Sequence, residues 1–231
     1  MGACRQNRRL EGLHQVAQAL LTVVLLATAA SAQTPIVNAG GIVNGADFRP
    51  ASLSGGAVAQ GSIFSLFGSE LSAETFDAQS FPLPRIANGV RVEVVAAGVV
   101  YEAPLLHVDP LQINAIFPSD VPVGPATSRV VRAGQASNAE PVKVVRTYPG
   151  LFVTNALQVR QEAHSNHRQE AAAQRYVDGQ PQQLTLDAPA YPGGYVTLWS
   201  TGLFGPRGLD DVPVGLASRP APRARVIVGG K

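Results

Sequence analysis

Cysteine is almost absent from this chain, which has a single one at Cys4. An apolar stretch follows it at residues 20–30. If both are removed together as an export signal, the remaining chain has no cysteine at all. Disulfide bonds and thiol catalysis are then excluded, and the exported chain must be stabilised by apolar burial. Cys4 also lies ahead of the apolar stretch, so it does not have the position of a lipoprotein acceptor.

A long apolar run is also lacking, since a bilayer span takes about 20 such residues. The run LLTVVLLATAA at residues 20–30 follows three arginines and ends in Ala30-Ser31-Ala32, which is the pattern of a secretory signal peptide. We expect residues 1–32 to be that peptide, with cleavage before Gln33. The mature protein is then exported to the periplasm, the cell surface or the medium, with no stable membrane span.

Net charge disappears with the signal peptide. Three of the 18 basic residues and one of the 16 acidic residues lie within residues 1–32, which leaves 15 of each in the mature chain. No basic stripe remains to neutralise a phosphate backbone, so nucleic acid is not an expected partner.

What the mature chain does have is the alternation of short β-strands. Apolar residues recur with period two in VRVEV at 90–94, SRVVR at 128–132 and PVKVVR at 141–146. Turn signals flank them, Asn88-Gly89 before the first and Ala133-Gly134-Gln135 between the other two. The pattern predicts an all-β fold, with an immunoglobulin-like antiparallel β-sandwich over residues 33–147.

One phrase occurs twice. GSIFSLFGSEL at 61–71 and GGYVTLWSTGL at 193–203 match in their apolar, small and glycine positions. Each copy predicts a core strand near the start of a β module, but only residues 204–231 follow the second copy. We expect a connector at 148–177 that ends in a strand, and then a truncated second immunoglobulin-like module at 178–231. That partial module would lean on the first or complete its open edge as a dimer.

Several phrases, in order along the chain, carry a family resemblance. They are GGIVNGADF (40–48), GSIFSLFGSEL (61–71), PLP (82–84), APLLHVDPLQINAIFP (103–118), RAGQASNAEPVKV (132–144) and YPGLFVT (148–154). Together they resemble the uncharacterised Solibacter-type C-terminal domain of acidobacterial exported proteins, an immunoglobulin-like sandwich related to the IPT/TIG group. Asp109 and Leu111 depart from the family's VSPGQIN phrase. The resemblance implies an accessory or surface module and carries over no catalytic residue.

Gln112 and Asn114 form the most motif-like polar pair, on either side of Ile113 in a predicted strand. Alternation sends both amides to one face of that strand. Each amide donates and accepts, so the pair could satisfy a neighbouring loop or hold a sugar hydroxyl. The structural interpretation is favoured, and both residues stay candidates for ligand binding.

His107 and Asp109 lie two residues apart in LHVDP and could form a base with its orienting carboxylate. No G-x-S-x-G nucleophile elbow accompanies them, and Asp before Pro is typical of a turn. A small hydrolase is therefore the least favoured function, and no catalytic residue is assigned.

Metal ligands are suggested only weakly. His164 and His167 have helical spacing, but their segment lacks the apolar face that would fix zinc ligands. Asp210-Asp211 lacks the alternating ligand pattern of a calcium loop. No metal and no cofactor are predicted.

Tyr191, Tyr195 and Trp199 offer the aromatic area that a carbohydrate platform needs. Tyr195 and Trp199 share one strand face, in the places that Ile63 and Phe67 hold in the first copy. The first-copy residues look like core, so burial is the favoured expectation for the second copy as well. In an incomplete module the same rings would be exposed, and all three are candidates for ligand binding.

These features favour an exported, non-enzymatic module with a structural, adhesive or cell-surface interaction role. Its partner would be an unknown protein or a polysaccharide. A carbohydrate-binding module is the main alternative, and a coplanar pair of exposed aromatic rings would distinguish it.

Overall fold

The computed structural model describes residues 33–49, 56–152, 172–185, 188–203 and 210. Across these ranges the regular secondary structure is entirely β. No helix capable of spanning a membrane is found in them. The described residues from Thr34 onward belong to one compact unit.

The N-terminal part of the described chain folds as a sandwich of short strands. In chain order they are β1 (Ile36–Asn44), β2 (Val58–Ala59), β3 (Ile63–Ser69), β4 (Phe76–Asp77), β5 (Val90–Ala96), β6 (Val99–Glu102), β7 (Leu105–Val108), β8 (Gln112–Ile116), β9 (Gly124–Arg132), β10 (Gln135–Ala136) and β11 (Glu140–Val145). The strands predicted at 90–94 and 128–132 are confirmed as parts of β5 and β9, and the strand predicted at 141–146 corresponds to β11, which ends at Val145.

Two sheets make the sandwich. One has the order β1-β3-β8-β7-β4, and the other has the order β2-β11-β9-β5-β6 with β10 added beside β9. The first contains the ABED arrangement of immunoglobulin-like domains, and the second contains their CFG strands. The described residues therefore form an all-β sandwich of the immunoglobulin-like type, as predicted.

One described pair departs from the predicted antiparallel arrangement. Strand β2 runs parallel to β11, with Val58 opposite Val144 and Ala59 opposite Val145. It has two residues and lies at the edge of its sheet. A turn at Gln60-Gly61, closed by a hydrogen bond from Ser62 N–H to the carbonyl oxygen of Ala59 at 3.2 Å, leads from β2 into β3.

The core lies between the two sheets. Alternation along β5 turns Val90, Val92 and Val94 inward, where all three are fully buried. In the facing sheet Phe64 meets Phe117 edge to face, with ring centroids 5.3 Å apart. Apolar burial of this kind stabilises the sandwich without any disulfide.

The C-terminal part of the described chain adds short strands at the side of the sandwich. They are β12 (Gly150–Leu151), β13 (Ala173–Val177), β14 (Gln180–Gln183), β15 (Val196–Leu198) and β16 (Ser200–Thr201). A small sheet has the order β14-β13-β15, while β12 pairs with β16. The strand predicted at the end of the connector is confirmed as β13.

Strands β15 and β16 are consecutive, and only Trp199 separates them. The Trp199 N–H donates to the carbonyl oxygen of Ala172 at 3.2 Å, and its own carbonyl accepts from Phe152 N–H at 2.9 Å. The chain thus passes from the small sheet to the β12 pair without losing its backbone hydrogen bonds.

The β16 segment is fastened to the sandwich. The side chain of Thr201 accepts a hydrogen bond from the Ile63 N–H at 2.7 Å. Tyr148 N–H donates to the carbonyl oxygen of Gly202 at 2.9 Å. Gly202 has a left-handed φ of 69°. Glu70, at the matching position of the first copy, is also left-handed, with a φ of 55°. The predicted boundaries at 147 and 177 remain predictions.

Candidate functional site

The small C-terminal sheet presents an aromatic face. Antiparallel pairing sets Gln174 of β13 opposite Thr197 of β15, so their side chains share one side of the sheet. Alternation places Tyr176 on that side with Gln174, and Tyr195 and Trp199 with Thr197. The hydroxyl of Tyr176 lies 3.3 Å from Thr197 Oγ1, which agrees with this assignment. We call these five residues the aromatic face.

The rings of the aromatic face are open to solvent. Tyr195 is 84% exposed, Trp199 54% and Tyr176 44%. The favoured expectation that Tyr195 and Trp199 belong to a core is therefore wrong. Within the described ranges, the strands of the small sheet pair only with one another.

The inward and outward positions of the repeated phrase also differ from the expectation. In β3 the fully buried residues that enter the core are Phe64 and Leu66, whereas Ile63 is half-buried on the outer side. Phe67 is buried on that outer side, where its ring lies 5.9 Å from that of Phe48. The rings of the second copy therefore match outward positions of the first copy.

The third predicted aromatic residue, Tyr191, is separated from the other two. Its ring lies 4.9 Å from the guanidinium carbon of Arg175. Arg175 pairs with Val196 and so belongs to the side of the sheet opposite Gln174 and Thr197. Tyr191 is 60% exposed, but it lies beside Arg175 on the side of the sheet opposite the aromatic face.

Tyr176 is the functional candidate that sequence reasoning missed. It lies in the segment AQRYV, where glutamine and arginine obscure any apolar pattern. Once β13 is known to pair with β15, its position follows from parity, since Tyr176 is two residues from Gln174. Only the pairing register could have revealed it.

The amide pair lies elsewhere, on the outer face of the sandwich sheet that contains β8. Ile113 between the amides is fully buried in the core, so Gln112 and Asn114 point outward as predicted. Gln112 Nε2 and Ser65 Oγ both donate to Asn114 Oδ1, each at 2.8 Å. The amides thus serve a side-chain network rather than the backbone of a neighbouring loop.

His107 sits beside that network, between two carboxylates. Its Nδ1 lies 2.7 Å from Asp77 Oδ1, and its Nε2 lies 3.1 Å from Asp109 Oδ2. Both ring nitrogens are therefore engaged, which leaves neither available to take a proton from a serine hydroxyl. Asp109 also accepts backbone hydrogen bonds from Leu111 and Gln112, so the predicted turn is confirmed.

This arrangement favours a charged imidazole. Partial burial by itself would lower the pKa of His107, but its hydrogen bonds and charge interactions with Asp77 and Asp109 outweigh burial and raise the pKa above 6.5. Burial would raise the pKa of Asp109, but the hydrogen bonds from Leu111, His107 and Gln112 lower it below 3.8. The two carboxylates thus stabilise the protonated form of His107.

A second charged cluster lies on the outer face of the other sandwich sheet. The nearly buried Glu93 accepts from Arg91 Nε at 2.8 Å and from Arg129 Nε at 2.7 Å. Burial alone would raise the pKa of Glu93, but the two guanidinium groups outweigh burial and lower it below 4.5. The cluster is structural, because its polar atoms are turned towards one another.

Of the weak candidates for metal ligands, only Asp210 lies in the described residues. A cleft of about 720 Å³ is lined in part by Glu102, Asp120 and Asp210. Asp210 Oδ2 accepts a hydrogen bond from Ser119 N–H at 2.8 Å. In the described ranges no three histidine or carboxylate side chains converge as a metal site would require. Asp211, His164 and His167 lie outside the described residues.

Geometry thus identifies the class of protein as an immunoglobulin-like β-sandwich with a small side sheet. No family model matches the chain, and no curated protein matches it. Among solved structures, an auxiliary nutrient binding protein from Bacteroides ovatus ATCC 8483 is similar over 52% of this chain and 23% of its own, with 16% identity and a TM-score of 0.28.

Proposed function

We propose that the protein is an exported, non-enzymatic immunoglobulin-like module that binds a partner at the cell surface through its aromatic face. The observation that carries the proposal is the exposure of Tyr176, Tyr195 and Trp199 on one side of a small sheet. Exposed apolar surface gathered on one side marks interaction sites in soluble proteins. Tyrosine and tryptophan are also the residue types that concentrate binding energy.

The contacts of His107 bear on the hydrolase alternative. Both ring nitrogens contact carboxylates, so the arrangement has no base ready for a nucleophile. The family that the sequence resembles also implies an accessory or surface module. A hydrolase built on His107 and Asp109 gains no support from this geometry.

Export is tested first, by intact-mass measurement of the protein secreted from cells that express residues 1–231. We expect a mature species that begins at Gln33, because Ala30 and Ala32 occupy the small-residue positions of the cleavage site. A species that still carries residues 20–30 would contradict the export part of the proposal.

Binding is tested by co-sedimentation of the mature protein with envelope preparations from the cells that produce it. We expect the wild type to sediment and the triple variant Tyr176→Ser, Tyr195→Ser, Trp199→Ser to remain in solution. Tyr191→Ser is the matched control, since it removes an exposed ring from the other side of the sheet. Circular dichroism of each variant verifies the fold.

Two results would reject the proposed contact surface. One is equal sedimentation of the wild type and the triple variant, which would place the binding residues elsewhere. The other is loss of sedimentation in Tyr191→Ser alone, which would place them on the opposite side of the sheet.

A further inference from the structure

The aromatic face alternates rings with neutral polar groups. Tyr176 has Gln174 two residues away on β13, and Thr197 separates Tyr195 from Trp199 on the neighbouring course of the chain. Strand β14 adds Gln183 opposite Gln174 on the same side. Along each strand of this face, an apolar ring and a hydrogen-bonding side chain therefore alternate every two residues.

Formal charge is missing from the residues that make this side of the sheet. Gln174, Tyr176, Gln183, Tyr195, Thr197 and Trp199 are all neutral at pH 7. The nearby cation of Arg175 belongs to the opposite side, where it bonds to Pro189 O at 2.7 Å and to Gln182 Oε1 at 3.1 Å. An anionic or cationic partner would find no counter-charge on the aromatic face.

The extent of the face indicates a ligand longer than one small ring. Tyr195 and Trp199 are four residues apart on one course of the chain, which is about 13 Å in extended conformation. Both rings lie on an open sheet surface rather than in a closed pocket. A chain of several units is needed to reach both of them.

We infer that the partner of the aromatic face is a neutral polysaccharide, an inference that rests on the proposed binding function. Sugar rings stack their apolar C–H faces on Tyr195 and Trp199, as amphipathic aromatic residues allow. Their hydroxyl groups exchange hydrogen bonds with Gln174, Gln183 and Thr197, because carboxamides and hydroxyls both donate and accept. The neutral character of the face matches the neutral polymer.

The first experiment asks for the chemical class of the partner. Envelope preparations are treated either with periodate, which cleaves vicinal diols of sugars, or with a broad-specificity protease, before co-sedimentation with the mature protein. We expect periodate to abolish sedimentation and protease to leave it unchanged. Loss after protease alone would overturn the polysaccharide and keep the proposed binding function, whereas absence of sedimentation to untreated envelopes would remove both.

The second experiment uses Trp199 as its own probe, since it is the only tryptophan in the sequence. Its fluorescence is titrated with the neutral polymers β-glucan, xylan and galactomannan, and with polygalacturonate as a charged comparison. We expect a saturable change with at least one neutral polymer. No change with any of the three, or tighter binding of polygalacturonate, would overturn the inference.

Single variants, measured by the same titration, locate the contact. Tyr195→Ala should weaken binding about tenfold or more, as loss of an aromatic anchor does. Gln174→Ala should weaken it about fivefold, by loss of hydrogen bonds. Tyr191→Ala is the control and should bind as the wild type does. Equal weakening in Tyr191→Ala and Tyr195→Ala would overturn the assignment to this face.

Discussion

The two copies of one phrase have opposite surroundings in this molecule. Leu66 in β3 is 0% exposed between the sheets of the sandwich, whereas Leu198, at the same place of the second copy, is 36% exposed. Phe64 and Val196 differ in the same way. The comparison teaches that an apolar pattern defines the face of a strand, while burial depends on a second sheet that packs against that face.

Three arginines of the two regions have different partners. On the sandwich, Arg91 and Arg129 are paired with the carboxylate of Glu93. In the C-terminal sheet, Arg175 bonds to the neutral oxygens of Pro189 and Gln182 and lies over the ring of Tyr191. Arg91 and Arg129 are thus held by a carboxylate, whereas Arg175 is held by neutral oxygens and an aromatic ring.

The largest effect is expected from matched leucine substitutions in the two copies. Leu66→Ala opens a cavity in a closed core and should lower the free energy of unfolding by about 2–5 kcal/mol. Leu198→Ala should lower it by about 1 kcal/mol or less, since its side chain is partly solvated already. Urea denaturation followed by circular dichroism measures both. Similar losses in the two variants would break the comparison.

The next effect tests the ionic contacts of the sandwich. Glu93→Gln removes the charge that joins two guanidinium groups and should cost about 1–3 kcal/mol, with partial exposure of the arginines reducing the effect. Because the folded pKa of Glu93 is lowered, its stabilisation is present above about pH 4.5 and is lost as the pH falls through the folded value. Urea denaturation across that range checks both the size and the sign.

Glu102→Gln is the matched control for Glu93. Its carboxylate lies 3.7 Å from Arg91 Nε and its side chain is 41% exposed. An exposed pair of this kind contributes little, so the variant should change the free energy of unfolding by less than about 1 kcal/mol. An equal cost in both variants would show that burial of Glu93 has no influence.

A further substitution tests the hydrogen bond between Thr201 of β16 and Ile63 of the sandwich. Thr201→Val removes the acceptor of the Ile63 N–H and should cost about 1–2 kcal/mol. Hydrogen exchange of the Ile63 amide should become faster, as should that of β12 and β16. Thr197→Val is the control, because its hydroxyl lies on the open aromatic face. Unchanged exchange at Ile63 would show that β16 does not hold the start of β3.

The smallest effect is a pH dependence confined to the sandwich. The raised pKa of His107 means that its contribution is fully present below about pH 6.5 and is lost as the pH rises through the folded value. His107→Asn should flatten that dependence, by less than about 1 kcal/mol because Asp77 is well exposed. Urea denaturation at several pH values measures it. A wild-type stability that rises over the same interval would contradict the assignment.

The strands of the sandwich were predictable because each has one face on a core. Alternation in VRVEV reflects Val90, Val92 and Val94 turned inward while Arg91 stays outside. The turn at Asn88-Gly89 was predictable for a local reason, since both residues adopt the left-handed backbone that asparagine and glycine tolerate.

The environment of the second copy was not predictable from the same pattern. Local alternation gave Tyr195 and Trp199 the same face, but it contains no information about a covering sheet. Of the two partners of His107, Asp109 was named from the sequence, but Asp77 was missed for a similar reason. Asp77 is 30 residues away and reaches the imidazole only through the pairing of β4 with β7.

The course of the chain through Trp199 has a mechanical consequence. A ligand held on that ring and pulled away from the protein would load the Trp199 backbone, which is tied to Ala172 on one side and to Phe152 on the other. Tension would pass next to Thr201 and its bond to Ile63, at the start of a strand that lies in the sandwich core. The backbone that holds the Trp199 ring is thus connected, through Thr201 two residues further on, to the buried strand β3.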